Sequence, residues 1–173
     1  MSCPKSVDMT GKAGSYSPID RAGDDRVYCI HLKKNKITGG KNMNEVYEFL
    51  KACGTYFLAT DENGQPRVRP FGTVDLYKDR LYFQTGKKKA VAKQLKANPK
   101  LEISAMSADG RWLRLEAEAE LDEDIAAQEH MLTAYPDLRA MYTPGDGNTE
   151  VYFLKNVKAG IFSFTAAPET FEF

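Results

Sequence analysis

The sequence predicts an α+β fold, an antiparallel β-barrel decorated by helices, and three observations carry that reading. Residues 112–121 alternate without a break: Leu113, Leu115, Ala117, Ala119 and Leu121 face one way, and Arg114, Glu116, Glu118 and Glu120 the other. That is the period-two signature of a strand with one face in a core. Short apolar runs are joined by tight-turn signals at residues 61–65 (DENGQ) and at Lys78 and Asp79, which fold neighbouring strands antiparallel. Helical periodicities are interposed between the strands, so the sheet carries helices.

In chain order, the first 25 residues are rich in Gly, Ser, Pro, Lys and Asp and have no periodicity. Residues 26–32 (RVYCIHL) suit a short strand and residues 33–41 (KKNKITGGK) a basic turn. Residues 1–42 are expected to form a partly flexible arm and residues 43–173 the compact domain. In the latter, Val46, Phe49, Leu50 and Cys53 fall at helical spacing, with Asn42 or Asn44 to cap and Gly54 to stop. Residues 55–60, 67–77 and 81–85 read as three strands, the second a long one. Residues 88–98 form a helix ended by Pro99, and residues 101–106 a strand that turns at 108–110 into the alternating strand. A helix over 122–134, a short helical piece from Pro136, a loop at 143–149 and two last strands, 150–154 and 160–164, complete the chain.

Composition excludes several classes of function. The 173 residues carry 24 basic and 24 acidic side chains, too balanced for a general nucleic-acid binder. The balance is uneven along the chain, with 8 basic against 4 acidic groups in residues 1–42. No apolar run reaches the ~18–20 residues of a membrane span, and the first residues lack the apolar core of a signal peptide, so the expected location is cytoplasmic. Cys3, Cys29 and Cys53 are odd in number, without CxxC spacing, and read as reduced thiols. With His31 and His130 as the two histidines, no metal site is expected.

Three segments carry candidate chemistry. In residues 81–99 (LYFQTGKKKAVAKQLKANP) a strand ends in Thr85 and Gly86, and Lys87, Lys88 and Lys89 open a helix. A helix start offers unpaired N–H groups and partial positive charge, where lysines have the wrong sign, so this segment reads as a phosphate site. A solvated lysine cluster is the plainer alternative. In residues 65–73 (QPRVRPFGT), Arg67, Arg69, Phe71 and Thr73 share one strand face, and Val68, Gly72, Val74 and Leu76 the other. The apolar set is expected to enter the barrel and the arginines to point outward, with Pro70 leaving a neighbouring backbone free to bond something else. In residues 111–117 (RWLRLEA), Trp112, the single tryptophan, lies beside Arg114 on the polar face and marks an interface or a ligand. His31 and His130 show no partner pattern.

Four stretches in this order resemble the flavin-binding split barrels that include pyridoxamine 5′-phosphate oxidase: 64–70 (GQPRVRP), 82–89 (YFQTGKKK), 94–99 (QLKANP) and 111–117 (RWLRLEA). The resemblance implies a six-stranded antiparallel split barrel, a homodimer, and two FMN molecules between the subunits. It implies FMN contacts from Arg69, with Arg67, Val68 and Pro70 around it. It also implies a phosphate held by Thr85, Lys88 and Lys89 next to Phe83 and Gln84, and Trp112 and Arg114 reaching the partner's flavin. Trp112 stands where the motif usually has Gln, so that contact would be ring packing. The oxidase carries a late Arg-x-His stretch, whereas no His follows His130. The implied function is therefore an FMN-dependent oxidoreductase other than that oxidase, with NADH or NADPH as a possible donor. A flavin, haem or deazaflavin store of the same fold is the alternative.

Overall fold

The computed structural model describes residues 39–173, with side chains from residue 42 onward. The strand expected at residues 26–32 and the arm up to residue 38 lie outside the described residues. The last three residues of the expected basic turn instead open helix α1, Gly39–Cys53. Met43, Val46, Phe49 and Leu50 bury one face of that helix, and Gly54 ends it with φ +69°.

The described residues form eight strands, β1 (Tyr56–Glu62), β2 (Gln65–Phe71), β3 (Asp75–Tyr77), β4 (Arg80–Gly86), β5 (Lys100–Met106), β6 (Trp112–Asp122), β7 (Thr149–Phe162) and β8 (Glu169–Glu172). Helix α2 (Ala90–Ala97) lies between β4 and β5, and α3 (Ile125–Ala134) with the 3-10 helix Pro136–Ala140 between β6 and β7. All pairings are antiparallel, in the order β2-β1-β5-β6-β7-β4-β3, with β8 also on β7. The split-barrel expectation holds, with eight strands among the described residues in place of six.

Two strand expectations are corrected. Residues 67–77 are not one strand: β2 stops at Phe71 and β3 starts at Asp75. These strands sit at opposite ends of the sheet order, so residues 72–74 carry the chain from one edge to the other. Tyrosines satisfy that crossing backbone. Tyr56 Oη donates to Thr73 O (2.8 Å), and Tyr135 Oη donates to Val74 O (2.8 Å) while accepting from Val74 N (3.0 Å). The last two expected strands are instead the single strand β7, bent at a bulge. Glu116 opposes Lys158 but Glu118 opposes Lys155, leaving an extra residue at Asn156, which takes φ +53°. The bend lets one edge of β7 pair with β4 before the bulge and with β8 after it. β8 was not foreseen.

The main core lies inside the barrel, where Leu58, Phe83, Leu95, Ile103, Leu113, Leu115 and Tyr152 meet. A second core under α3 joins Tyr82, Ala127, Met131, Val151 and Phe153. β4 divides the two, sending Phe83 and Thr85 to one side and Tyr82 and Gln84 to the other. No helix among the described residues is long and apolar enough to cross a membrane.

Candidate functional site

The strand β4 ends in a cradle. Gly86 passes so close to a neighbouring loop that an added Cβ would sit 3.1 Å from Tyr142 Oη and 3.4 Å from Asn148 Nδ2. The loop holds the chain there, because Lys87 N donates to Asn148 O at 2.7 Å. Asp146 shapes the loop by accepting from Thr143, Asn148 and Thr149 N–H groups. Burial raises its carboxyl, but those backbone donors prevail and hold it at about 2.

Lys89 is the N-cap of α2 and makes no side-chain cap bond; the first turn has no acidic residue. Lys87, Lys88 and Lys89 are all exposed, with no carboxylate partner among the described residues. Just before them, Thr85 and Gln84 are 2 % and 5 % exposed. Thr85 Oγ1 and both polar atoms of the Gln84 amide have no hydrogen-bond partner. An orphaned buried polar group costs about 1–3 kcal/mol, and the two open on opposite faces of β4, Thr85 on the side of Phe83 and Gln84 on the side of Tyr82. Phe83 is a core ring, stacked on Tyr152 and edge-on to Phe71.

The second segment corrects an expectation. Cross-strand pairing sets Arg69 beside Leu58, Arg67 beside Thr60 and Phe71 beside Tyr56, all inner-face partners. Phe71 packs on the core, and Val68 is the residue turned outward, 63 % exposed, with Pro70 exposed on the same face. The apolar and polar faces of β2 are thus the reverse of the sequence expectation. Outward Val68 and Pro70 join Phe57 on that side, while inward Arg69 meets polar partners at the barrel rim.

Arg69 is held by Nη1 to Leu58 O (3.2 Å) and Thr60 Oγ1 (2.7 Å), and by Nη2 to Gln94 Oε1 (2.6 Å). Thr60 Oγ1 also donates to Gln94 Oε1, and Gln94 Nε2 donates to Glu62 Oε1. All three acceptors of Arg69 are neutral, so its half-buried cation has no direct ion pair, and desolvation lowers its pKa. Arg67 differs: it pairs with Glu62 at 2.7 Å in solvent. Thr60, Glu62 and Gln94 were missed as partners because their roles depend on β1, β2 and α2 meeting. Gln94 opens the quoted QLKANP stretch, but nothing local marks it as buried.

Trp112 and Arg114 lie where expected, on the outward face of β6. Arg114 pairs with Glu102 at 3.1 Å. Trp112 is half-buried, stacked on Phe162 (5.8 Å, 16°) and beside Phe164 (5.0 Å), which is 92 % exposed. An added Cβ on Gly160 would lie 2.7 Å from the Phe162 ring. Gly160→Ala is therefore expected to push Phe162 off Trp112 and shift tryptophan emission while circular dichroism is unchanged. An unchanged emission spectrum would contradict the stack.

Other polar clusters had no sequence signal. His130 Nε2 lies 3.1 Å from Asp75 Oδ2 and its ring stacks on Tyr77 at 4.4 Å, so His130 does have partners. Tyr47 donates to the same carboxylate, and burial followed by that bond pushes its phenol up to about 12. No group of three or more potential metal-ligating side chains occurs among the described residues. Two surface grooves, of about 510 and 350 Å3, run along β1, β5 and β6 and beside α2. Neither is lined by Thr85, Lys88, Lys89, Trp112 or Arg114. The strand-end cradle and the outward aromatic face therefore do not share either groove of one chain.

The comparisons with known proteins agree with this architecture. Residues 43–153 match the family model described as pyridoxamine 5′-phosphate oxidase. A NimC/NimA family protein from Clostridium acetobutylicum is 41 % identical, with TM-score 0.76, covering 78 % of this chain and 94 % of that one. General Stress Protein 26 from Bacillus anthracis str. Sterne has the same fold at 15 % identity and TM-score 0.61, covering 78 % of this chain and 98 % of that one. A heme binding protein from Mycobacterium smegmatis has it at 15 % identity and TM-score 0.62, covering 79 % of this chain and 59 % of that one. No curated protein matches. The match over residues 43–153 and the NimC/NimA relative together show that the chain belongs to the pyridoxamine 5′-phosphate oxidase-like family of split barrels.

Proposed function

We propose that the protein is an FMN-binding oxidoreductase acting as a homodimer. The observation that carries the reading is the end of β4, where Thr85 buries an unpartnered hydroxyl next to the start of α2, whose three exposed lysines have no carboxylate partner among the described residues. A terminal phosphate supplies what this cradle lacks: acceptors for Thr85 Oγ1 and helix N–H groups, and charge for Lys88 and Lys89. Arg69 adds a cation without a direct ion pair at the barrel rim. Bound FMN would bring hydride and electron transfer, and the chain's residues would bind it, orient it and exclude water.

The outward face supports the dimer. Register aligns Val68 with Ala59, Pro70 with Phe57, and Met106 with Trp112 and Phe162 across five strands. Phe57, Val68, Met106 and Phe164 are 52 %, 63 %, 69 % and 92 % exposed there. A patch of that kind marks an interface. Ligand sites usually bury 70–90 % of their ligand, and a second copy would enclose a flavin ring against the partner's Trp112 and Arg114.

Titration by flavin fluorescence quenching tests the cofactor. FMN is expected to bind and FAD more weakly, because a cradle made for a terminal phosphate has no fitted place for a diphosphate-linked adenosine. Equal affinities would overturn this. Anaerobic NADH or NADPH is expected to bleach the bound flavin; a flavin that stays oxidised with both favours a binding or storage role.

A further inference from the structure

The carboxylate of Glu150 is a group that this reading leaves unused. Glu150 lies directly across from Thr85 in the β4–β7 ladder. Paired residues of an antiparallel ladder share a face, with Cβ atoms about 4.5–5.5 Å apart. The next pair on that face, Phe83 and Tyr152, stack at 5.5 Å. Glu150 is 6 % exposed, so a buried carboxylate adjoins the cradle assigned to a phosphate. A phosphate held by Thr85 and an uncompensated Glu150 carboxylate on the same strand face would oppose each other, the more so because Glu150 is buried.

The chain compensates Glu150 from α2. Lys96 Nζ, in the last turn of the helix, donates to Glu150 Oε1, and Tyr152 Oη donates to Oε2 at 2.8 Å. Both oxygens are thereby occupied, and the carboxylate is neutralised by a cation whose side chain is 42 % exposed. Lys96 lies on the helix that Lys89 caps, so the pair also ties α2 to β7 below the cradle.

We propose that Lys96 is a positioning residue for phosphate binding: it cancels the buried charge of Glu150 beside Thr85, so that an anion can occupy the cradle without touching Lys96. This rests on the phosphate reading above. It says that a lysine outside the lysine cluster sets the selectivity for phosphorylated over unphosphorylated flavin.

The test compares FMN with riboflavin, which lacks the phosphate, by fluorescence quenching in low salt. Wild type is expected to prefer FMN. Lys96→Met leaves Glu150 uncompensated and should weaken FMN on the order of tenfold while changing riboflavin little. Lys96→Met combined with Glu150→Gln removes both charges and should restore the FMN preference. A helix displaced for structural reasons would weaken both ligands and would not be rescued by the second change. An FMN-to-riboflavin ratio unchanged in Lys96→Met, or a double variant no better than the single one, overturns the role of Lys96 and leaves the phosphate reading standing. No preference for FMN in wild type overturns both. Should Lys96→Met fail to fold, Lys96→Arg, which keeps the charge, is expected to retain the preference; its loss there would equally contradict compensation.

Discussion

Arg69→Met should bind FMN roughly tenfold to a hundredfold more weakly than wild type. A hydrogen bond to a charged group is worth about 1.5–3 kcal/mol, and Arg69 is a half-buried cation with no carboxylate bonded to it. The variant should keep its fold, because Thr60 Oγ1 still donates to Gln94 Oε1 and α2 stays attached to β1. Arg67→Met is the control. Its partner Glu62 lies in solvent, where ion pairs contribute about 0–1 kcal/mol, so FMN affinity should change by less than about fivefold. Equal losses in the two variants, measured by quenching, would show that the second strand acts through general positive charge rather than through Arg69.

Phe57→Glu should convert the proposed dimer to monomers without unfolding the barrel. Phe57 is 52 % exposed on the outward face and pairs with Pro70 on one side and Ser104 on the other, near the middle of the apolar patch. A two-fold interface meets every substitution twice, so two carboxylates would be buried opposite an apolar surface. Light scattering after size exclusion reads the mass, and circular dichroism the fold. FMN occupancy should fall with the dimer, because the partner's Trp112 and Arg114 complete the enclosure in this reading. A Phe57→Glu dimer that keeps its FMN would move the interface to another face.

These effects also separate what the sequence made legible from what it did not. The alternation of β6 and the Asn63-Gly64 turn, where φ is +55° and +85°, are local and read directly. So was the end of β4 with the lysines after it, since a strand end, a glycine and a helix start are contiguous in sequence. The faces of β2 were not legible. Its apolar and polar residues alternate, and hydrophobicity alone turns Val68 inward. Two things reverse that. Phe71 packs on its cross-strand partner Tyr56 and on Phe83 of β4, and Arg69 finds three neutral acceptors supplied by β1 and α2. Both are long-range facts, and a one-residue change of register would have given the opposite answer. The break after Phe71 was hidden for the same reason: the chain leaves β1 at Phe71 and next pairs with β4 from Asp75, and Tyr56 and Tyr135 bond the backbone in between. The Lys96–Glu150 and Asp75–His130 links likewise join residues far apart in sequence.

Sedimentation velocity of the FMN-loaded protein, recorded in both the protein band and the visible flavin band, tests the central claim most directly. The account predicts one boundary, with the flavin travelling on a dimer at one FMN per chain. It also predicts that removing FMN loosens the dimer, since a ligand bound between subunits stabilises their association. A monomer sedimenting with a full complement of FMN would contradict it.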